Sequence, residues 1–245
     1  DVLQELVASV TLLDSALLEL CQIALSSLAV DGGEVGERVQ LASIGIVQAV
    51  FSKYSQHRAV LIDDLLSTLG KMRTSRRNLR TYRLRSRSAD STDSIQIYSA
   101  LVLQWVHGAA RAPREEDILG ERTGDEAGED ASTTTPDARR SGSSMAARNS
   151  YAESRTVAHA FVHSFVERCI KRDHVGDFRQ LFKDFFEDIV LVLDRPEWPG
   201  AGPLVEAACL QLKTMLPSIE KPDVAADHQA LVNIAASLLG AAVAK

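Results

Sequence analysis

The chain has 245 residues, 45% of them hydrophobic, which is enough to bury a substantial core in one domain or in an extended repeat array. Only 5% of the residues are aromatic, while Leu, Ala and Val dominate, and this balance favours helices over β-sandwiches. The apolar region Val2–Val30 is interrupted by acidic residues, which argues against a membrane span, and no signal peptide is visible.

The three cysteines, Cys21, Cys169 and Cys209, are widely spaced, and each falls in an apolar helical pattern. This arrangement suits buried thiols in a reducing compartment and argues against a disulfide framework. The sequence begins at Asp1 rather than at a methionine, from which we expect a piece of a longer protein.

The net charge of −6 conceals an uneven distribution of charge along the chain. Residues 1–70 carry three basic and nine acidic side chains, a net −6, whereas residues 71–111 carry nine and two, a net +7. Residues 112–150 carry five and nine, a net −4, and residues 151–245 carry ten and thirteen, a net −3. A basic patch on an otherwise acidic chain gives one part of the surface a positive potential. The overall pI of 5.6 does not show this uneven distribution of charge.

Apolar residues recur with helical spacing along most of the chain, and no strand-like alternation competes with them.

Ser94 is predicted to cap a helix that ends near Ala110. Asp184 and Asp188, one helical turn apart, are interpreted as part of a solvated helix face. The turn at Arg195–Gly200 is predicted to be rigid because its two prolines fix the backbone. The predicted helices cover about residues 2–29 (as one long helix or two), 35–54, 56–70, 94–110, 151–170, 178–193, 203–216 and 225–243.

Residues 112–149 contain almost no large apolar side chains and are rich in Glu, Asp, Ser, Thr, Gly and Arg. Such a segment cannot bury enough surface to offset its ordering entropy, so we predict a disordered acidic insertion. The helical patterns before it (residues 1–111) and after it (residues 150–245) are not expected to form separate domains. The predicted fold is all-α, an α-solenoid of the HEAT-repeat type built from stacked antiparallel helix pairs.

A dense run of arginines lies within residues 71–93, which we call the basic segment and predict to be a loop. No acidic residue interrupts the run between Arg73 and Arg87. We predict that its side chains bind the phosphates of duplex DNA, although a solvated loop or a nuclear-import signal would show a similar pattern. Leu79 or Leu84 is expected to anchor the segment to the helices. The predicted DNA-contacting residues are Lys71, Arg73, Arg76, Arg77, Arg80, Arg83, Arg85 and Arg87.

No arrangement of residues in the sequence predicts an enzyme. His159 and His163 have the spacing of a metal-binding pair, but Ala160 stands where a zinc protease carries glutamate, and no third ligand is evident. The sequence contains no phosphate-binding GK[ST] loop, no G-x-S-x-G elbow and no Cys/His nucleophile pair. We therefore expect no catalytic residues, no metal and no cofactor, and we interpret Trp105 and Trp198 as packing residues.

Four segments resemble the cohesin-loader family, also called adherin, Nipped-B or sister chromatid cohesion protein 2. They are RRNLRTYRL (Arg76–Leu84), IQIYSALVLQ (Ile95–Gln104), YAESRTVAHAFVHSFVERC (Tyr151–Cys169) and DFRQLFKDFFEDIVLVLDRPEWPGA (Asp177–Ala201). In that family, too, a basic RNLR-aromatic-RL segment precedes an IQ…ALVLQ helix, a variable acidic insertion and a helix pair ending in PEWPAA. The present chain departs from the pattern at Tyr82, where Phe is usual, at Trp105, where a smaller aliphatic is usual, and at Gly200, where Ala is usual.

The resemblance implies an internal portion of a large HEAT-repeat hook that loads the cohesin ring onto chromosomes, in the nucleus and on chromatin. The family contacts the kleisin subunit and the SMC ATPase heads, clamps DNA against those heads and stimulates their ATP hydrolysis, without an active site of its own. The small subunit of the loader binds the extreme N-terminal region of the family, which we expect this piece to lack. The assignment of the arginines named above as DNA contacts rests on their charge and spacing and is not carried over from the family.

Two other functions are compatible with the sequence. A HEAT-repeat scaffold would bind only protein, for example acidic helices of a partner, without contacting nucleic acid. An arginine/serine-rich RNA-binding segment is disfavoured, because RSRS covers only Arg85–Ser88 and only Tyr82 lies among the arginines to stack on bases.

Overall fold

A computed structural model describes residues 2–29, 33–72, 81–85, 93–109, 136–171, 178–215 and 222–243. Within these ranges the chain forms nine α-helices, a one-turn 3-10 helix (Ser55–His57) and one two-stranded ladder. The all-α prediction is therefore confirmed. The helices are α1 (Val2–Ser9), α2 (Asp14–Ser27), α3 (Gly33–Lys53), α4 (Arg58–Lys71), α5 (Ile97–Ala109), α6 (Pro136–Ile170), α7 (Phe178–Val192), α8 (Ala201–Met215) and α9 (Pro222–Val243).

The apolar region at the start of the chain forms two helices, α1 and α2. The backbone of Leu13 is extended, with φ −66° and ψ 141°, and separates them. The ammonium group of Lys53, at the end of α3, satisfies carbonyl groups at the end of α1 that have no partner within the helix. It donates at 2.9, 3.1 and 2.9 Å to the carbonyl oxygens of Val7, Ala8 and Val10.

One continuous cluster of buried apolar side chains extends from α1 to α9. Helix α3 packs on α1, α2 and α5, helix α5 packs on α6, and α6 packs on α8, while α9 packs on α7. The aromatic centre of the cluster is Phe185, whose ring centroid lies 5.3 Å from that of Phe161 and 5.8 Å from that of Phe165. Each helix thus contacts its near neighbours in a row, which is the packing of an α-solenoid.

The helices on the two sides of the predicted insertion share this core. Arg58 of α4 donates to the carboxylate of Glu153 in α6 at 2.6 Å. The hydroxyl group of Ser154 donates to the carbonyl oxygen of Val106 in α5 at 2.9 Å. These contacts join helices that precede the predicted insertion to the helix that follows it.

The predicted insertion is described only in part. Residues 110–135 lie outside the described residues, whereas α6 begins at Pro136, so the backbone of residues 136–149 is helical. The helix therefore begins inside the segment whose composition predicted no structure. A physical reason is that an existing helix extends cheaply, since each added residue gains one backbone hydrogen bond without a new nucleation cost.

Replacing residues 112–135 with a short Gly/Ser linker should leave the thermal unfolding midpoint within about 5 °C of the wild-type value. The physical reason is that the segment offers the core almost no large apolar side chains. Differential scanning calorimetry measures the midpoint. A larger fall, worth more than about 1 kcal/mol for a chain of this size, would mean that the segment packs against the helices.

The cysteines differ in exposure. Cys21 and Cys169 are buried, but Cys209 is exposed, so the prediction of three buried thiols is wrong for Cys209. Helix α8 buries Ala207, Ala208 and Leu212, and its side chain at position 209 points away from that face. Burial raises the pKa of the Cys21 thiol from its ordinary value of 9.0 to about 12, and the negative charge of Asp64 acts in the same direction.

Iodoacetamide at pH 8 should alkylate Cys209 first and Cys21 last, because only the thiolate reacts and access is limited by burial. The raised pKa alone leaves Cys21 with about a thousandfold less thiolate than an ordinary cysteine. Peptide mass spectrometry after timed quenching gives the three rates, and the rates should become similar in denaturant. Equal rates for Cys21 and Cys209 in the folded protein would contradict this assignment.

Candidate nucleic-acid interface

The C-terminal part of the basic segment forms an antiparallel ladder. Strand β1 (Tyr82–Arg83) pairs with strand β2 (Ser94–Ile95), with Tyr82 opposite Ile95. The backbone N–H of Leu84 extends the pairing by donating to the carbonyl oxygen of Asp93 at 2.9 Å. The sequence predicted a loop without strands, and that prediction is wrong here. Two-residue strands are too short to produce a visible alternation of apolar and polar residues.

Side chains along β1 and the residues after it alternate between the protein and the solvent. Tyr82 packs edge-to-face on Trp198, with ring centroids 5.7 Å apart, and Leu84 is buried. Arg83 and Arg85 are exposed. Because alternate residues of a strand point to the same side, these two arginines share one face, about 6.8 Å apart along the backbone. The expectation that Leu84 anchors the segment is confirmed.

A buried guanidinium group ties the ladder to the turn between α7 and α8. Arg195 in that turn is only 6% exposed. Its Nη1 donates to the carbonyl oxygen of Arg85 at 3.0 Å, and its Nη2 donates to the carboxylate of Asp93. The negative charge of Asp93 is therefore compensated by Arg195.

The residues that follow β2 are held by a carboxylate from α7. Oδ2 of Asp188 accepts the backbone N–H of Gln96 at 2.9 Å and the hydroxyl of Ser99 at 2.8 Å. Ser94 lies in β2, so its prediction as the helix cap is wrong, because a side chain 92 positions from Gln96 caps α5 instead. Asp188 is fully buried and Asp184 is 8% exposed, so the interpretation of a solvated face is also wrong.

Three of the eight predicted DNA-contacting residues lie in the described ranges: Lys71, Arg83 and Arg85. All three are exposed, and the ladder places Arg83 and Arg85 side by side. The other five, together with Leu79, lie outside the described residues, and their assignment stays a prediction. They are Arg73, Arg76, Arg77, Arg80 and Arg87.

Lys71, the last residue of α4, is partly engaged with the protein's own acidic groups. Burial and the neighbouring charge of Asp63 raise the pKa of Asp64, while the positive charge of Lys71 acts in the opposite direction. The positive charge of Lys71 therefore interacts with the carboxyl group of Asp64. For this reason it is a weaker candidate for contact with DNA than Arg83 and Arg85.

An open groove of about 260 Å³ lies beside the ladder. The basic segment lines it with Arg83 and Arg85, helix α5 adds Gln104 and His107, and the turn after α7 adds Glu197. Several hydrogen-bonding side chains thus lie next to the two arginines. Sequence reasoning missed them because they come from three distant parts of the chain and match no known motif.

The two tryptophans are packing residues, as the sequence predicted. Trp105 is fully buried and stacks on Phe51, with ring centroids 4.4 Å apart. Trp198 is partly buried and supports Tyr82, so its packing holds the basic segment in place.

Among the described residues, no three His, Cys, Asp or Glu side chains lie close enough together to hold a metal ion. His163 lies 3.6 Å from Glu167 on the same helix, while His159 stands one turn earlier. The described helices include none with the length and apolar character that crossing a bilayer requires.

Comparison with known proteins relates the chain to a set of much longer relatives, although no protein-family model matches it. It is 30% identical over 200 residues to Nipped-B-like protein B of Danio rerio, and 29% identical over 200 residues to Nipped-B-like protein of Homo sapiens. It is 26% identical over 198 residues to Nipped-B protein of Drosophila melanogaster. These matches cover 81%, 81% and 77% of the chain, but only 6%, 7% and 9% of the relatives.

The chain belongs to the Nipped-B family. A solved structure, the C-terminal fragment of the cohesin loader SCC2 of Chaetomium thermophilum, shares its fold with a TM-score of 0.69. That match covers 97% of this chain and 17% of the SCC2 chain, at 22% sequence identity. The solenoid prediction is therefore confirmed, and the chain spans less than a tenth of the length of the Nipped-B relatives named above.

Two departures from the Nipped-B pattern meet at helix α5. A Cβ atom at Gly200 would lie 2.7 Å from the carbonyl oxygen of Leu103 and 3.3 Å from Cβ of Val106. Leu103 lies two residues before Trp105, the second departure, and Val106 follows it directly. The turn therefore approaches the backbone of α5 too closely for the alanine that is usual at position 200.

Proposed function

We propose that this chain is a DNA-contacting portion of a cohesin loader, which helps to load the cohesin ring onto chromatin in the nucleus. Membership in the Nipped-B family and the fold shared with the loader SCC2 support the loading role. The observation that carries the DNA contact is the exposed pair Arg83 and Arg85, held on an anchored strand within residues 71–111, which carry a net charge of +7.

The anchored strand favours phosphate binding for two reasons. First, an arginine guanidinium is always charged and presents donors that match phosphate oxygens. Second, the ladder fixes the backbone that carries Arg83 and Arg85, so less conformational entropy is lost on binding. The contacts would be made to the DNA backbone, and they would position the duplex without selecting a sequence.

The proposed partners follow from the family. The duplex would lie between the basic segment and the SMC ATPase heads, and the chain would also contact the kleisin subunit. Holding DNA against the heads would stimulate their ATP hydrolysis, with the catalytic residues supplied by the heads. The small subunit of the loader would bind a part of the parent protein outside this chain.

Titration with duplex DNA at several salt concentrations tests the DNA contact. A logarithmic plot of affinity against salt should be linear, with a slope of about −0.9 for each phosphate contact, and it should be the same for two unrelated duplexes. Three or more contacts would give a slope of about −3 or steeper. Absence of binding to duplex DNA at low salt would reject the proposal.

A scaffold that binds only protein is the second candidate, and the groove beside the ladder favours it. Arg83, Arg85 and His107 could hold acidic side chains of a partner helix, with Gln104 and Glu197 as hydrogen-bonding neighbours. Binding to purified kleisin or SMC heads without any binding to DNA would support this function over the first.

A further inference from the structure

The ladder that presents Arg83 and Arg85 is too short to hold itself in place. An isolated two-stranded hairpin is only marginally stable in water, and each strand here has two residues. The groups that fix it come from the turn after α7. Trp198 packs on Tyr82, and the guanidinium of Arg195 bonds to both Arg85 and Asp93.

Arg195 has the geometry of a clamp across the two sides of the ladder. Its donors reach the backbone carbonyl of Arg85, beyond β1, and the carboxylate of Asp93, just before β2. Its side chain is 5% exposed, so it cannot itself meet a phosphate of bound DNA. The planar guanidinium serves both partners at once, which the single ammonium of a lysine does less well.

We infer that Arg195 is a positioning residue for the basic segment: it holds the strand so that Arg83 and Arg85 face the solvent together, and it neutralises Asp93. This inference rests on the proposed DNA contact. Without Arg195, the carboxylate of Asp93 would lose its compensating cation, and its negative charge would lower the positive potential of the ladder that carries the two arginines. The strand would also lose the donor that fixes the carbonyl of Arg85.

The first test is the substitution Arg195→Lys, which leaves the net charge and every exposed arginine unchanged. The magnitude of the slope of DNA affinity against salt should fall by up to about 2 units, because two phosphate contacts of about 0.9 each are weakened. Circular dichroism verifies that the variant is folded. An unchanged slope in the folded variant would overturn the inference.

Asp93→Asn separates positioning from simple charge. The substitution removes a negative charge near the basic segment, so charge counting alone predicts tighter binding to DNA. The clamp predicts the opposite, a shallower slope and weaker binding, because the charge-assisted bond from Nη2 is replaced by a weaker bond to a neutral amide oxygen. Tighter binding with a steeper slope would count against the clamp.

Arg58→Lys is the matched control. Arg58 is similarly enclosed, with a side chain 14% exposed, and its guanidinium also bonds a backbone carbonyl and a carboxylate, those of Phe51 and Glu153. It stands at the opposite end of α4 from the basic segment. Its replacement should alter thermal stability without altering the salt slope, and an equal fall in slope would show that any buried arginine has this effect.

Hydrogen exchange provides a measurement that does not depend on DNA. The amide of Leu84 bonds to the carbonyl of Asp93, so Arg195→Lys should speed its exchange at least about tenfold while the amides of α5 keep their protection. If the wild-type chain does not bind DNA, the proposed function fails, and accelerated exchange would still establish Arg195 as the anchor. If DNA binds but neither the exchange nor the slope changes, this inference alone is wrong.

Discussion

Replacing Arg76, Arg77, Arg80 and Arg83 together by alanine should flatten the dependence of DNA affinity on salt by about 3 to 4 units of log–log slope. The physical reason is that each neutralised phosphate releases about 0.9 of a counterion from the duplex, and the variant removes four positive charges. The loss should be the same for two unrelated duplexes, since phosphate contacts carry no sequence information. Stability should change little, because Leu84 still anchors the segment.

A matched variant removes four basic side chains elsewhere and changes the net charge equally. Arg38, Arg155, Lys183 and Lys213 are solvent-accessible and lie on α3, α6, α7 and α8. Their replacement by alanine should leave most of the slope intact. An unchanged slope in the folded basic-segment variant would place the DNA path elsewhere and favour a role for the segment in docking the kleisin or an SMC head.

Asp188→Ala should lower the free energy of unfolding by about 3 kcal/mol, since it leaves two buried donors without their acceptor at about 1–3 kcal/mol each. These donors are the backbone N–H of Gln96 and the hydroxyl of Ser99. The carboxylate also interacts favourably with the positive end of the α5 dipole. Urea denaturation monitored by circular dichroism gives the difference in free energy.

Asp184→Ala is the control for this substitution, on the same helix and one turn earlier. The carboxylate of Asp184 accepts from the side chain of Gln180 at 2.6 Å, within α7. Its removal frees one side-chain donor that is partly exposed, so the cost should stay below about 1.5 kcal/mol. Equal costs for the two substitutions would contradict the role of Asp188 as a cap supplied by another helix.

The sequence predicted the elements that depend on local pattern. Apolar spacing located the helices to within a few residues, because burying one face of a helix requires that spacing. The charge pattern singled out the basic segment, and Leu79 or Leu84 was expected to anchor it; Leu84 is buried, and Leu79 lies outside the described residues. The start of α6 was missed, and the sequence left open whether residues 2–29 form one helix or two, since composition alone does not fix where a helix begins or ends.

The parts that were missed depend on contacts between distant residues. Asp188 reaches Gln96 across 92 positions, and Arg195 reaches Asp93 across 102. No periodicity or local spacing encodes such a pair, and a lone buried carboxylate looks like a solvated one until its donors are known. The proposed clamp at Arg195 depends on the turn after α7 lying beside the ladder, and no local pattern in the sequence predicts that contact.

The core shared across the predicted insertion has a consequence for a nicked chain. A protease that cut within residues 110–135 would sever the polypeptide, but α5 would remain packed on α6, and Arg58 would remain bonded to Glu153. The basic segment would stay in the first fragment and its anchors, Trp198 and Arg195, in the second. The two fragments should therefore remain associated as one complex. Neither fragment, expressed alone, would hold Arg83 and Arg85 together on one fixed face.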